Sequence, residues 1–532
     1  MENFKEKETF SCQTCGRRRF LFQLATITGA SILPNELFAS LPKPSHDAVM
    51  PDKTDAVKVR LVYAYHLSDI QVERTWPNVG HDFTSIKKDI LKTLNSNVRD
   101  VEFIPASART VEDAKKVLVE DNERGDIAGY IIVQMNNWVP ASEIFIKHGK
   151  PVIYIPLPYC ADGGWTLNTA KYLNNDHPYF EVMTSHNFND VVEMANAFAL
   201  LKNGTPTDFK NAAMEWRISH TPKYCTAVAK KDRIKCLSPE KTIEKLKGMK
   251  ILSVENNLPD YFQKIKNDFG IDVEVVSFTD VDAKADKVEN AKAKRLADKW
   301  TKEAKAIEEV SYETLFGCAK MYYGMKDILK EHGAQAITIN CLGGCYTGKI
   351  KNYPCLGFME LQDENLFGIC ENDLDSTITM MVFHALTNGR MGYVSDPVLD
   401  ITSRKIIYAH CVSTRKFFGK KSKQMPFEIL THSEDRQGAS VRTITPEGYP
   451  VTTLKFNVAA RCMAIHSAIT TGNDRNDRAC RTKIVAEVVG DYNKIYSTWA
   501  HFAWHRVTFY GDFAKEAIAF AQKIGYEIVY EA

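Results

Sequence analysis

The 532-residue sequence has no apolar run of transmembrane length, no internal repeat and no low-complexity tract, so neither a membrane-spanning helix nor a repeat array is read from it. It also has no excess of either charge. Lys plus Arg number 68 against 66 Asp plus Glu, a net charge of +2, which gives no electrostatic case for a nucleic acid or an acidic polymer as partner. Its 13 cysteines are too few for a disulfide scaffold, and the odd number leaves at least one thiol free or intermolecular. Cys12 and Cys15 form a lone CxxC with no second pair at zinc-ribbon spacing. What remains is an ordinary globular composition, 44% hydrophobic and 25% charged, on a chain long enough for several domains and a large core.

The N-terminus stands apart from that globule. Arg17, Arg18 and Arg19 precede Phe20 and Leu21 and then the mostly apolar FQLATITGASIL, which is too short to span a bilayer. The pattern resembles a twin-arginine export signal, in which an arginine pair, any residue and Phe-Leu stand ahead of a moderately apolar stretch. Residues 1–45 are therefore read as signal and linker, with removal between Ala30 and Ser40, where small residues occur. A periplasmic or exported protein follows, with no stable membrane span once the signal is gone. The alternative is a basic amphipathic N-terminal helix on a cytoplasmic protein.

Beyond the linker, short β-rich runs alternate with helical patterns. KVRLVY, VEFIP, GYIIVQ and PVIYIP read as buried parallel strands, with amphipathic stretches near 82–95, 110–121 and 187–202 to cover them. That alternation predicts a doubly wound, Rossmann-like α/β domain over 46–245. The charged segment 203–248 reads as a crossing connection. A second Rossmann-like domain, 246–388, takes its strands from MKILSVE, DVEVVSF, AQAITIN and LFGIC. From 389 to 532, strands such as KIIYAHC, VTTLKFNV and KIVAEVV follow without regular helices, which predicts a C-terminal antiparallel, barrel-like β domain closed by one helix near 512–524.

The chemistry gathers where the second domain ends. LFGIC stops at Glu371, and in an open α/β sheet ligands bind beyond the carboxyl ends of the strands. Leu374, Ile378, Met381 and Ala385 fall at helical spacing, so a helix begins near Leu374, with Asp373 as its N-cap and Asp375 favoured in its first turn. Glu371 precedes the cap and is left without a structural reason. Asp396, His410 and His505 follow downstream. Two carboxylates and a neutral imidazole would make a hard first shell with open positions, suited to Mn²⁺ or Mg²⁺ and a chelating substrate. Cys341, Cys345, Cys355 and Cys370 cluster just ahead of Glu371, with burial as small hydrophobes their expected role.

CENDLDSTITMMVFHALTNGRMGYVSDP, residues 370–397, resembles the stretch of L-fucose isomerases in which Glu-Asn-Asp opens a helix and an Asp follows some two dozen residues on. The layout is also similar to L-arabinose isomerases, and YPCLGFMELQDENLFGICEND lines up with their segment before the Glu. WHRVTFYGD, then a helix and GYEIVYEA, resembles the C-terminal segment of both families, where a His ligand opens a strand. The resemblance implies Glu371 and Asp396 as metal ligands and acid/base pair, with His505 as third ligand. It makes His410 a further candidate, since a His comparably placed is a ligand in arabinose isomerases. Trp504 stands where those families have Asn or His, so sugar contacts differ at that wall, and Arg506 is a candidate for sugar hydroxyls. The implied activity is a metal-dependent aldose–ketose isomerase acting on an open-chain 6-deoxyhexose or pentose through an enediol, with a homo-oligomer expected by analogy. The competing expectations are an exported carbohydrate-binding protein that needs no metal, and a lyase or epimerase with the same enediolate chemistry.

Overall fold

The computed structural model describes residues 55–168, 170–174 and 177–532; the arginine motif, Cys12, Cys15 and the expected removal point lie outside the described residues. Strands β1 (Val57–Ala64), β2 (Val101–Ala108), β3 (Ile127–Gln134), β4 (Val152–Pro156) and β5 (Phe180–Val182) form one parallel sheet in the order β2-β1-β3-β4-β5. The central β1, β3 and β4 are buried on both faces, which accounts for their Val and Ile runs. Helices Thr84–Asn97 and Val111–Arg124 flank it, the second started by a capping box between Thr110 and Asp113. The buried charge in β1, Arg60, is paired through Nε to Asp121 Oδ1 at 2.8 Å, so neither charge is buried alone.

A second parallel sheet takes β6 (Lys250–Val254) and β7 (Asp272–Val276). The two-residue β8 (Ile307–Glu308) lies elsewhere, and β9 (Ala336–Ile339) and β10 (Phe367–Cys370) complete the sheet as β10-β9-β6-β7. The segment expected as a crossing connection is only partly one. Residues Pro206–His220 form a helix with Phe209 and Ala213 buried, because Thr205 and Asp208 close a capping box and Pro206 fits the first turn. The extended stretch after it is the true crossing. It lies along the C-terminal region through Ala227 N to Glu487 Oε2 (3.1 Å) and Lys230 N to the Gly448 carbonyl (2.7 Å), and reaches the second domain through Leu237 N to the Leu386 carbonyl (2.8 Å).

The C-terminal strands are β11 (Tyr393–Asp400), β12 (Lys405–His410), β13 (Phe427–Leu430), β14 (Ser440–Thr443), β15 (Pro450–Asn457), β16 (Cys462–Asn473), β17 (Thr482–Val489), β18 (Arg506–Tyr510) and β19 (Glu527–Tyr530). Six of them run antiparallel around a ring, β15-β18-β11-β12-β17-β16, and β16 pairs back onto β15 to close it. Closure removes both sheet edges. Strand β19 adds in parallel to β16, helix Ala514–Lys523 packs beside it, and the β13–β14 hairpin takes β8 of the preceding domain as its third strand. The expected architecture of two parallel α/β layers and a C-terminal antiparallel domain is what the chain forms. Among the described residues no helix is long and apolar enough to cross a membrane.

Candidate metal centre

The site is built by a break in the backbone at the end of β10. Glu371 and Asn372 both adopt left-handed conformations, φ 63° and 52°, which cost about 1–2 kcal/mol per residue for L-amino acids. Asn372 holds the turn: its Nδ2 donates to the Val254 carbonyl at 2.7 Å and its Oδ1 accepts from Ser253 Oγ at 3.1 Å. In a continuing strand Cys370 and Glu371 would face opposite sides. Here both line one cavity. Asp373 then caps the helix Leu374–Leu386, its Oδ1 accepting from Ser376 N at 2.8 Å, and Leu374, Ile378, Met381 and Ala385 are buried as the spacing required.

Around Glu371 the barrel delivers the candidate ligands. His410 ends β12, Asp396 lies in β11 opposite Ala409, and His505 stands immediately before β18. His505 Nε2 is 3.6 Å from Glu371 Oε2 and 3.5 Å from Asp396 Oδ1, and His410 Nε2 is 3.9 Å from Glu371 Oε1. The other nitrogen of His505, Nδ1, faces Asp373 Oδ2 at 2.8 Å, and Lys455 Nζ donates to the same oxygen at 2.6 Å. Glu371, His410 and His505 form the one group among the described residues whose ligand atoms lie within 4.8 Å of one another. Both ring nitrogens of His410, and Nε2 of His505, are buried without a hydrogen-bond partner. Each such atom costs about 1–3 kcal/mol if left so, and a cation held there would relieve that cost.

The electrostatics agree with a cation site. Burial pushes the Asp396 carboxyl up to about 7, with His505 opposing and Glu371 adding to the shift. Desolvation likewise pushes Glu371 up against the pull of His505, although its side chain sits at the cavity mouth and stays 34% exposed. Burial alone would lower His505, but Asp396, Glu371 and Asp373 outweigh it and raise the imidazole to about 9. His410 is driven down to about 3 by burial and by the facing His505. For Asp373, Lys455 and His505 overcome burial and hold the carboxyl well below its usual range. The cluster thus demands one positive charge among its carboxylates. A protonated His505 would supply it, as would a metal ion with His505 neutral.

The expected residues converge, with changes of rank. Glu371 and His505 are in the compact group. Asp396 adjoins it, with Oδ1 3.5 Å from His505 Nε2, and His410, which the sequence placed second, stands inside it. Asp373 is more than a cap: a carboxylate behind a ligating imidazole fixes its tautomer and orientation. Lys455, buried against Asp373 and Ser376, was not found from the sequence, because a lone Lys in an apolar strand carries no spacing signal. Arg506 does not belong to the site. Strand alternation turns it away from His505 into the core, where Nη2 pairs with Glu531 Oε1 at 2.7 Å and bonds the Trp499 carbonyl at 2.8 Å. Trp504 meets the first domain, edge-to-face on Trp138 with ring centroids 3.9 Å apart.

No family model matches this chain, and no curated protein does. Among solved structures, an ABC transporter solute-binding protein from Burkholderia multivorans, with an unknown ligand described as alpha-D-erythrofuranose, aligns at 12% identity over 62% of this chain and 95% of its own. The TM-score of 0.17 is too low for that likeness to bear on fold or function.

Proposed function

We propose that the protein is a metal-dependent aldose–ketose isomerase of an open-chain 6-deoxyhexose or pentose such as L-fucose or L-arabinose. The observation that carries this reading is the convergence of two carboxylates, Glu371 and Asp396, on His505, beside buried imidazole nitrogens with no partner in the protein. Glu371, His410 and His505 would hold the ion, with Asp396 beside them. Two imidazoles in the donor set favour Mn²⁺ over Mg²⁺. The ion, when bound, would polarise the oxygens of C1 and C2 and stabilise the charge that develops there.

The chain's own residues move the protons. Isomerisation takes a proton from one carbon and returns one to its neighbour, and a second proton passes between the two oxygens. Glu371, open at the cavity mouth, would exchange the proton on the substrate carbon, and Asp396, the less exposed of the two, the proton on oxygen. Asp373 keeps His505 in one tautomer while they do so. The cavity behind Glu371 is small enough to hold only an ion or a water, so the sugar would lie across its mouth. The twin-arginine-like N-terminus supports action outside the cytoplasm, and a homo-oligomer remains part of the proposal. Glu371→Gln should abolish turnover and leave the fold intact; retained activity would sink the assignment. A conversion screen with Mn²⁺ over 6-deoxyhexoses and pentoses tests the class, and tight binding of a closed-ring sugar with no conversion or metal uptake would favour a carbohydrate receptor.

A further inference from the structure

The near balance of charge over the whole chain hides a local imbalance in the crossing segment. Residues 222–237 carry no helix or strand, and over 224–228 and again over 231–236 exposure alternates residue by residue, as it does along an extended chain with one side against the protein. Cys225, Ala227, Asp232, Ile234 and Cys236 are half-buried on the inner side; Tyr224, Val228, Lys231, Arg233 and Lys235 are exposed on the outer. The inner side is pinned. Arg404 Nη1 donates to the Pro222 carbonyl at 2.6 Å, Ala227 N to Glu487 Oε2 at 3.1 Å, and Arg390 Nη2 to Asp232 Oδ1 at 2.8 Å. Ile234 and Cys236 pack against the core that holds Leu386 and Val507.

Every charge on the outer side is positive. Lys223, Lys230, Lys231, Arg233 and Lys235 are all exposed, and the one acid of the segment, Asp232, lies on the inner side with Arg390. Lys230 Nζ donates to the Glu447 backbone carbonyl at 2.7 Å, and among the described residues none of the five cations makes an ion pair. The same side carries the two most exposed large hydrophobic side chains among the described residues, Val228 at 86% and Tyr224 at 71%. A lone exposed Val or Tyr needs no explanation. Two of them on one side of a pinned strap, between cations that no acid compensates, do. We propose that this side of the strap binds an anionic membrane surface, its lysines and arginine meeting lipid phosphates while Tyr224 and Val228 enter the interface. Long basic side chains that reach headgroups beside apolar tips that leave water are what hold a protein at an interface without spanning it. Because the strap is pinned beforehand, little ordering cost is added on binding. The inference does not depend on the isomerase reading.

The test is co-sedimentation of the full-length chain with vesicles of phosphatidylglycerol and phosphatidylcholine, set against vesicles of phosphatidylcholine alone. Binding is expected to the anionic vesicles only, and should fall as salt rises. Each Lys or Arg near such a surface contributes about fivefold in affinity, so the triple variant Lys231→Gln, Arg233→Gln, Lys235→Gln should bind about 100-fold more weakly. A control triple variant, Lys88→Gln, Lys92→Gln, Lys115→Gln, removes the same charge from exposed positions of the first domain and should bind as the parent does. Val228→Asp should weaken binding by more than the loss of one cation. All these side chains are exposed, and unchanged thermal melts would confirm that the variants fold. Equal binding to both kinds of vesicle, binding to neither, or equal losses in the two triple variants would each overturn the proposal. So would undiminished binding by the strap variant, as attachment through the N-terminal arginines would give, and so would a strap variant that loses self-association in place of vesicle binding, which would give this face to a second copy of the chain.

Discussion

Asp373 joins three functions in one carboxylate, so replacing it by Asn separates them. Asn caps helices as well as Asp does, and the bond to Ser376 N survives. Two interactions do not. The negative charge behind His505 Nδ1, 2.8 Å away, is lost, and outer-shell losses of this kind weaken metal binding about 10- to 100-fold, roughly 1.4–2.7 kcal/mol. Lys455, only 1% exposed, loses the carboxylate it bonds at 2.6 Å and keeps only Ser376 Oγ as a direct partner. Removing one member of a buried ion pair costs about 3–5 kcal/mol, and the nearby Asp375 carboxylate, which feels the Lys455 charge, places the expected loss at the lower end. The second substitution, Lys455→Met, removes the stranded cation. In the double variant, stability by denaturant melts should recover by more than half, while Mn²⁺ affinity by calorimetric titration stays as weak as in Asp373→Asn. Two results would refute this: Asp373→Asn binding Mn²⁺ within about threefold of the parent, or the double variant regaining metal affinity along with stability. The latter would mean that Asp373 serves Lys455 and not His505.

Three further outcomes are expected. His410→Ala should lower bound Mn²⁺ sharply, whereas Asp396→Asn should keep most of the metal and lose turnover; equal metal loss in both, measured by elemental analysis, would return Asp396 to the ligand set. Glu531 is fully buried, and Arg506 with His466 outweighs burial to hold its carboxyl at about 2 against an ordinary 4.5. Its contribution, on the order of 3 kcal/mol, is therefore complete above pH 4.5 and drains away as pH falls toward 2; Glu531→Gln should flatten the stability profile in that window, and an unchanged slope would show that the pair does not set acid stability. Trp504→Ala and Trp138→Ala should show a coupling of about 0.5–1.5 kcal/mol in a double-mutant cycle, and zero coupling would mean that the ring contact does not hold the first domain to the barrel.

What the sequence reveals here follows from how local each cause is. The buried parallel strands are legible because burial on both faces leaves runs of Val and Ile that need no partner to be recognised. The helix Pro206–His220 is nearly hidden by its polar surface, although Thr205, Pro206 and Asp208 announce its start. Glu371 is found by elimination, since the helix that follows explains its neighbours and not it; the left-handed turn that aims it leaves no mark in residue identity. The rank of His410 against Asp396 is beyond spacing altogether. It depends on barrel closure, which sets β12 beside β11 with Ala409 opposite Asp396, and on which side of each strand faces the cavity. Arg506 shows the same limit from the other side, one residue from His505 and turned into the core.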